Sequence, residues 1–161
     1  MTDLVTFVQD RQDWKQIDLC GMYIKEIPAG LFDKCQHLEV LFLSLNHLKT
    51  LPADFLQNCP NLKRLYLPYN RIEKLPPKFL ENCKNLERVD LRGNYLKALP
   101  SGFLKGTPVV YLDLQRNQIQ KLPVNFLVGC NEVKRAYIAG NQFDVESVKN
   151  CKRAEVFNFL L

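Results

Sequence analysis

Hydrophobic positions in this chain recur with a long fixed period rather than with a simple helical or strand spacing. The segment from Leu38 reads LEVLFLSLNHLKTLPADFLQNCPN, that from Leu62 reads LKRLYLPYNRIEKLPPKFLENCKN, and that from Leu86 reads LERVDLRGNYLKALPSGFLKGTP. Asn46, Asn70 and Asn94 fall 24 residues apart, Asn117 follows after 23 and Asn141 after another 24, the lost residue lying after Pro108. At the start of each segment, apolar slots such as Leu38, Leu41 and Leu43, with Leu62, Leu65 and Leu67 as their equivalents, alternate about a short strand and point inward. The pattern predicts one coil per repeat, with the strands of successive coils pairing in parallel. Coils start at residues 14, 38, 62, 86, 109 and 133.

Five copies of L-x-x-L-x-L-x-x-N-x-L in register make residues 14–143 resemble the leucine-rich-repeat family, in its 24-residue class. The resemblance implies an α/β solenoid of about six coils: a curved right-handed coil, a parallel sheet on its concave face, and short helical or 3₁₀ turns on its convex face. The first copy is irregular, with Ile17, Leu19 and Ile24 in apolar slots and Met22 in place of the asparagine. The last keeps Ile138, Asn141 and Phe143 but puts Ala136 in an apolar slot. End coils have a neighbour on one side only, so such departures are expected there.

Each repeat position has a physical task. The asparagines at 46, 70, 94, 117 and 141 stand where the chain leaves the strand, and their amides can satisfy backbone groups whose burial unpaired costs about 1–3 kcal/mol each. The return half repeats as Ile27-Pro28, Leu51-Pro52, Leu75-Pro76, Leu99-Pro100 and Leu122-Pro123, followed by Phe55-Leu56, Phe79-Leu80, Phe103-Leu104 and Phe126-Leu127. Proline there prevents a regular helix. Cys35, Cys59, Cys83 and Cys130 form a column near the end of this half, with Thr107 substituting once, and read as small buried apolar residues. Cys20 falls on the outward side of the first strand and Cys151 in the C-terminal cap.

Residues 1–13 form an N-terminal helical cap, with Leu4, Phe7 and Val8 on one face, Asp3 or Thr2 as helix cap, and Trp14 joining the cover. Residues 144–161 form a C-terminal cap carrying Val145, Val148, Val156, Phe157, Phe159 and Leu160.

Composition excludes several classes. The longest apolar runs, such as 40–43, fall far short of the roughly 20 residues a membrane-spanning helix needs. Residues 1–10 lack the basic opening and long apolar stretch of a secretory signal. His37 and His47 stand at no metal-ligand spacing, and a cysteine ladder with one member per coil does not converge on a point, so no metal is expected. There is no glycine-rich phosphate loop and no cofactor motif, and almost every residue already belongs to a repeat slot or a cap, which argues against an enzyme. Twenty-two Lys and Arg against seventeen Asp and Glu leave a net charge of +5. Lys25, Lys49, Lys74, Lys97 and Lys121 supply much of it as a solvated flank.

The variable residues between consensus slots point outward from the strands onto the concave face. Coils two and three present Val40, Phe42, Leu45, Tyr66 and Tyr69 as an apolar, aromatic patch beside Arg64. Coils four to six present Arg88, Arg92, Arg116 and Arg135 interleaved with Asp90, Tyr111, Asp113 and Tyr137. Aromatic and arginine enrichment is the composition of protein-binding hot spots. β-Favouring aromatics on an ordinary sheet would account for a few tyrosines but not for Phe42, Val40 and Leu45 together. The chain therefore reads as a monomeric, non-enzymatic module that binds a partner protein. The alternatives are a nucleic-acid or anionic-surface binder, disfavoured by Asp18, Asp90 and Asp113 in the central column, and a substrate-recruiting subunit of an enzyme complex. Arg92, on the outer face, is expected to matter little to stability.

Receptor ectodomains of the family carry cysteine-rich flanking caps, which this sequence does not show. The chain instead resembles small stand-alone intracellular repeat proteins, such as bacterial virulence effectors that enter a host cell without a cleavable signal peptide. That resemblance implies a cytoplasmic protein. The thiols of Cys35, Cys59, Cys83 and Cys130 are then expected to be reduced, and stability should be indifferent to reductant. Melting curves with and without reductant check this, and a sharp drop traced to these four residues would defeat the intracellular expectation.

Overall fold

The computed structural model describes residues 3–102, 104–127, 130, 132–150 and 157–158. Thr2, Phe103, Cys151, Val156, Phe159 and Leu160, for which capping or packing roles are expected above, lie outside these.

Helix α1 (Leu4–Gln9) opens the chain, with Asp3 as its cap, accepting from the Val5 and Thr6 N–H groups. Six short strands follow in register with the repeats: β1 (Gln16–Asp18), β2 (Val40–Phe42), β3 (Arg64–Tyr66), β4 (Arg88–Asp90), β5 (Tyr111–Asp113) and β6 (Arg135–Tyr137). Helix α2 (Val145–Lys149) comes next, and strand β7 (Phe157–Asn158) then pairs with β6. All seven strands lie in chain order in one parallel sheet. The expected parallel solenoid is thus the fold, and the sheet runs on past the sixth coil through β7. The convex side is looser than a 3₁₀ helix. It is built from separate i→i+3 turns, such as Leu31 N to Pro28 O, Asp33 N to Gly30 O and Cys35 N to Phe32 O, because proline and the next turn interrupt each other.

The core follows the consensus slots: Ile17, Leu41, Leu65, Val89, Leu112 and Ala136, one in the middle of each of β1 to β6, are wholly buried. The thiol column lies in the same core. Cys59 and Cys83 donate to the Phe32 and Leu56 carbonyls of the preceding coil, and Cys130 to the Thr107 carbonyl. Burial pushes the Cys83 thiol up to about 12 and Cys59 higher still, so both are protonated and unreactive in the folded chain.

At the first coil, Val8 is fully buried while Leu4, Val5 and Phe7 pack partly against the core. Trp14 is half exposed rather than part of the cover; the Arg11 guanidinium instead lies 3.7 Å from the Phe7 ring centre and 4.8 Å from that of Trp14.

The asparagines join coils together. The Asn94 Oδ1 accepts from the Ile72 N–H of the preceding coil at 3.0 Å, while its Nδ2 donates to the Leu67 carbonyl of that coil at 2.9 Å and to its own coil's Leu91 carbonyl at 3.0 Å. Asn46, Asn70, Asn117 and Asn141 repeat this pattern. A second set on the return half was not foreseen: Asn61, Asn82 and Asn85 donate to the Gln36, Gln57 and Pro60 carbonyls one coil back. Its signal was present in the repeated N-C-x-N of coils two and three.

Two substitutions test this frame. Leu67→Ala opens a cavity in a fully buried slot and should cost about 2–5 kcal/mol. Asn94→Ala strands one N–H and two carbonyls, for a loss of about 2 kcal/mol or more. Chemical denaturation measures both.

Candidate functional site

Each strand turns one side chain inward and its two neighbours outward, so the parallel register stacks outward residues into columns about 4.8 Å apart. One column runs Val40, Arg64, Arg88, Tyr111, Arg135, and the other Phe42, Tyr66, Asp90, Asp113, Tyr137. The two columns interlock. Phe42 and Tyr66 stack with ring centres 4.8 Å apart and planes 7° from parallel. The Arg88 guanidinium then lies 5.7 Å from the Tyr66 ring centre and 3.7 Å from that of Tyr111, and Tyr111 contacts Tyr137 at 5.1 Å. These five side chains form one unbroken file across coils two to six.

Asp90 and Asp113 are not the surface charges that the sequence suggested, being only 4% and 1% exposed. Each ends its strand by accepting the N–H two residues on, from Arg92 and from Gln115. Asp18 does the same for Cys20 in the first coil, where it stays exposed. A short polar side chain satisfying its own turn is a common strand-end device. Arg92 faces both buried acids, at 3.5 Å from Asp90 and 3.9 Å from Asp113, and lies 5.6 Å from the Tyr69 ring centre. Burial pushes the Asp113 carboxyl up, the Gln115 N–H pulls it down, the Asp90 charge raises it and Arg92 lowers it again.

Val40 also departs from expectation. It is buried, because a short β-branched side chain between the register partners Gln16 and Arg64 lies below their longer side chains. Arg64 and Arg135 are exposed on the face, as expected.

Leu45, Tyr69 and Arg116 stand beyond the strand ends, on a lip where the chain turns off the sheet. Their φ angles are 57°, 56° and 54°, and Gly21, Gly93 and Gly140 fill the same position in other coils. A left-handed conformation costs a non-glycine residue roughly 1–2 kcal/mol. Glycine at 93 has a further cause, since a Cβ there would meet the Tyr69 ring at 2.6 Å. Beside the lip lies a shallow groove of about 300 Å³ lined by Leu45, His47, Tyr69, Arg71 and Tyr95 among others. Tyr23 meets His47 edge-on at 5.6 Å. Tyr23, His47 and Tyr95 were missed from sequence, although the variable position just after each asparagine slot carried the signal.

Among the described residues no group of three or more His, Cys, Asp or Glu is placed to hold a metal ion, and no helix is long and apolar enough to cross a membrane.

The family model described as "Leucine rich repeat" matches residues 15–72 and 60–119, well over half of the chain. The chain belongs to the leucine-rich repeat family. Among solved structures, a chain of the Drosophila Toll–Spätzle complex, a hub in development and innate immunity, is 26% identical, with a TM-score of 0.75 over 82% of this chain and 18% of that one. The leucine-rich repeat domains of APL1 and APL1B share its fold at 20% and 22% identity, with TM-scores of 0.80 and 0.76 over 90% and 87% of this chain. This leucine-rich repeat chain spans less than half the length of each, 38% and 42% for the latter two. No curated protein sequence matches it. Repeat domains of this family typically bind proteins and are usually non-catalytic.

Arg92 was expected from sequence to matter little to stability, but it faces two buried acids. Arg92→Ala leaves two buried carboxylates side by side and should cost about 1–3 kcal/mol near neutral pH. It should also raise the Asp113 pKa further, as read by NMR of the labelled carboxyl carbon. Folding has already raised that pKa, so the Asp113 charge opposes folding above it. The loss in Arg92→Ala should therefore shrink as the pH falls through it.

Proposed function

We propose that the chain is a non-catalytic module that captures a partner protein on its concave face. The observation that carries this reading is the file of Phe42, Tyr66, Arg88, Tyr111 and Tyr137, which aligns aromatic area and a cation across coils two to six. Stacking fixes these side chains before a partner arrives, so little rotamer freedom is lost on binding. Arg64, Arg92 and Arg135 border the file, and Leu45, Tyr69 and Arg116 extend it over the lip. Asp90, Asp113 and Val40 shape the face from below rather than touching the partner.

The Toll–Spätzle complex shows a relative engaged with a protein, which supports the reading by kinship. A bacterial effector acting on a host protein was the finer expectation from sequence. The relatives reported above lend it no support, and the proposal does not depend on it. A cytoplasmic setting is also a proposal, supported by the sequestration of Cys35, Cys59 and Cys83 in the core.

The test is a double variant, Phe42→Ala with Tyr66→Ala, used as bait beside the intact chain with quantitative mass spectrometry of the retained proteins. Both rings face outward, so circular dichroism should report a folded chain. Binding of a specific partner should weaken by about 2 kcal/mol or more if the stacked pair is a hot spot. Equal retention of every partner by both baits would refute the concave-face reading.

A further inference from the structure

The charge on the concave face is unbalanced. Arg64 and Arg88 are register neighbours, and Arg135 follows beyond Tyr111 in the same column. Like charges side by side on one sheet face repel. None of the three forms an ion pair among the described residues, although Arg92 does. The nearby acids are already committed, for Asp90 and Asp113 lie beneath the surface on backbone N–H groups and share Arg92. A partner therefore meets guanidinium groups without their counter-charges. Arg88 is further held in place by two rings, while its buried Nε has no acceptor among the described residues. A half-buried guanidinium fixed in orientation, with no ion pair among the described residues, suits a planar acceptor such as a carboxylate.

Tetrahedral phosphate also accepts two hydrogen bonds from a guanidinium fork, and single-stranded nucleic acid would bring both phosphates and bases. Base binding needs open aromatic faces. Within the file the facing rings are already engaged: Phe42 and Tyr66 cover one another, Arg88 lies between Tyr66 and Tyr111, and Tyr137 leans on Tyr111. Rings stacked along the sheet in this way turn edges rather than faces to a partner, and edges beside a guanidinium fit a peptide. Resting on the proposed concave-face reading, we infer that the captured segment is an acidic peptide stretch, with an Asp or Glu carboxylate seated on Arg88 and apolar neighbours against the Phe42–Tyr66 edge.

Selection from a displayed random-peptide library against the intact chain tests this, with single-stranded poly-U RNA as a second probe in fluorescence anisotropy. The selected peptides should be enriched in Asp and Glu. Changing their acids to the amides, or Arg88→Gln in the protein, should weaken binding at least about tenfold, while Lys121→Gln on the far flank changes nothing. Arg64→Gln, whose guanidinium stacks on no ring among the described residues, gives a second reading should Arg88→Gln disturb folding, which thermal melting reports. Peptides without acidic enrichment, bound by the intact chain and lost in the Phe42→Ala, Tyr66→Ala variant, would overturn the acidic assignment and leave concave-face binding standing. Peptides indifferent to all of these variants would sink both. Poly-U bound more tightly than any selected peptide, and released by Arg88→Gln, would replace the acidic peptide with nucleic acid.

Discussion

The whole solenoid depends on one recurring polar group, the side-chain amide where each coil leaves its strand. A chain that turns there buries N–H and carbonyl groups that no strand can pair. The amide at Asn94 meets this need from both directions at once, taking an N–H and giving to a carbonyl of the coil before while bonding its own. Such a bridge fixes the spacing of adjacent coils as well as satisfying them. The first coil illustrates the logic by omission: it has no earlier coil to bridge, and the slot is taken by Met22, half exposed.

Because every bridge has the same geometry, strand register carries unchanged along the molecule. The shortened fourth coil, 86–108, shows how firmly. Losing a residue in the return half changes the loop between the strands, yet Arg88 still pairs with Tyr111 and Asn117 still reaches Leu91 and Leu114 at 3.0 Å. Convex turns absorb the change because they are separate turns with no continuous helix to break. The face inherits that regularity, and a file of stacked side chains forms across five coils that share no local sequence contact.

Several features of the face oppose stability: three non-glycine residues in left-handed backbone, an adjacent pair of arginines in one column, and two buried carboxylates relying on one guanidinium. In a repeat fold these are tolerable, because stability is a sum of coil and interface terms and the core slots beneath are filled without exception in the middle of the sheet. Residues that oppose folding yet sit together on one surface are where a function is to be sought.

The period, the inward slots, the outward columns and the asparagine positions were all legible in the sequence. Periodicity is a local property repeated, and each repeat states the same physical demand again. What an outward residue does after reaching the surface was not legible. Asp90 and Asp113 look like Asp18 in sequence, yet neighbours in adjacent coils bury the first two and leave the third exposed. Val40 looks like a surface hydrophobe, but it lies below the longer side chains of its register partners. Arg92 looks like an outer-face charge of little weight in stability, but the two buried acids meet at it. Tyr69 and Gly93 stand 24 residues apart and depend on each other through one ring. Such outcomes are set by side-chain length and lean between coils, and these exist only once the coils are stacked. Sequence alone therefore determined which residues form the face, and tertiary structure alone decided which of them are available to a partner.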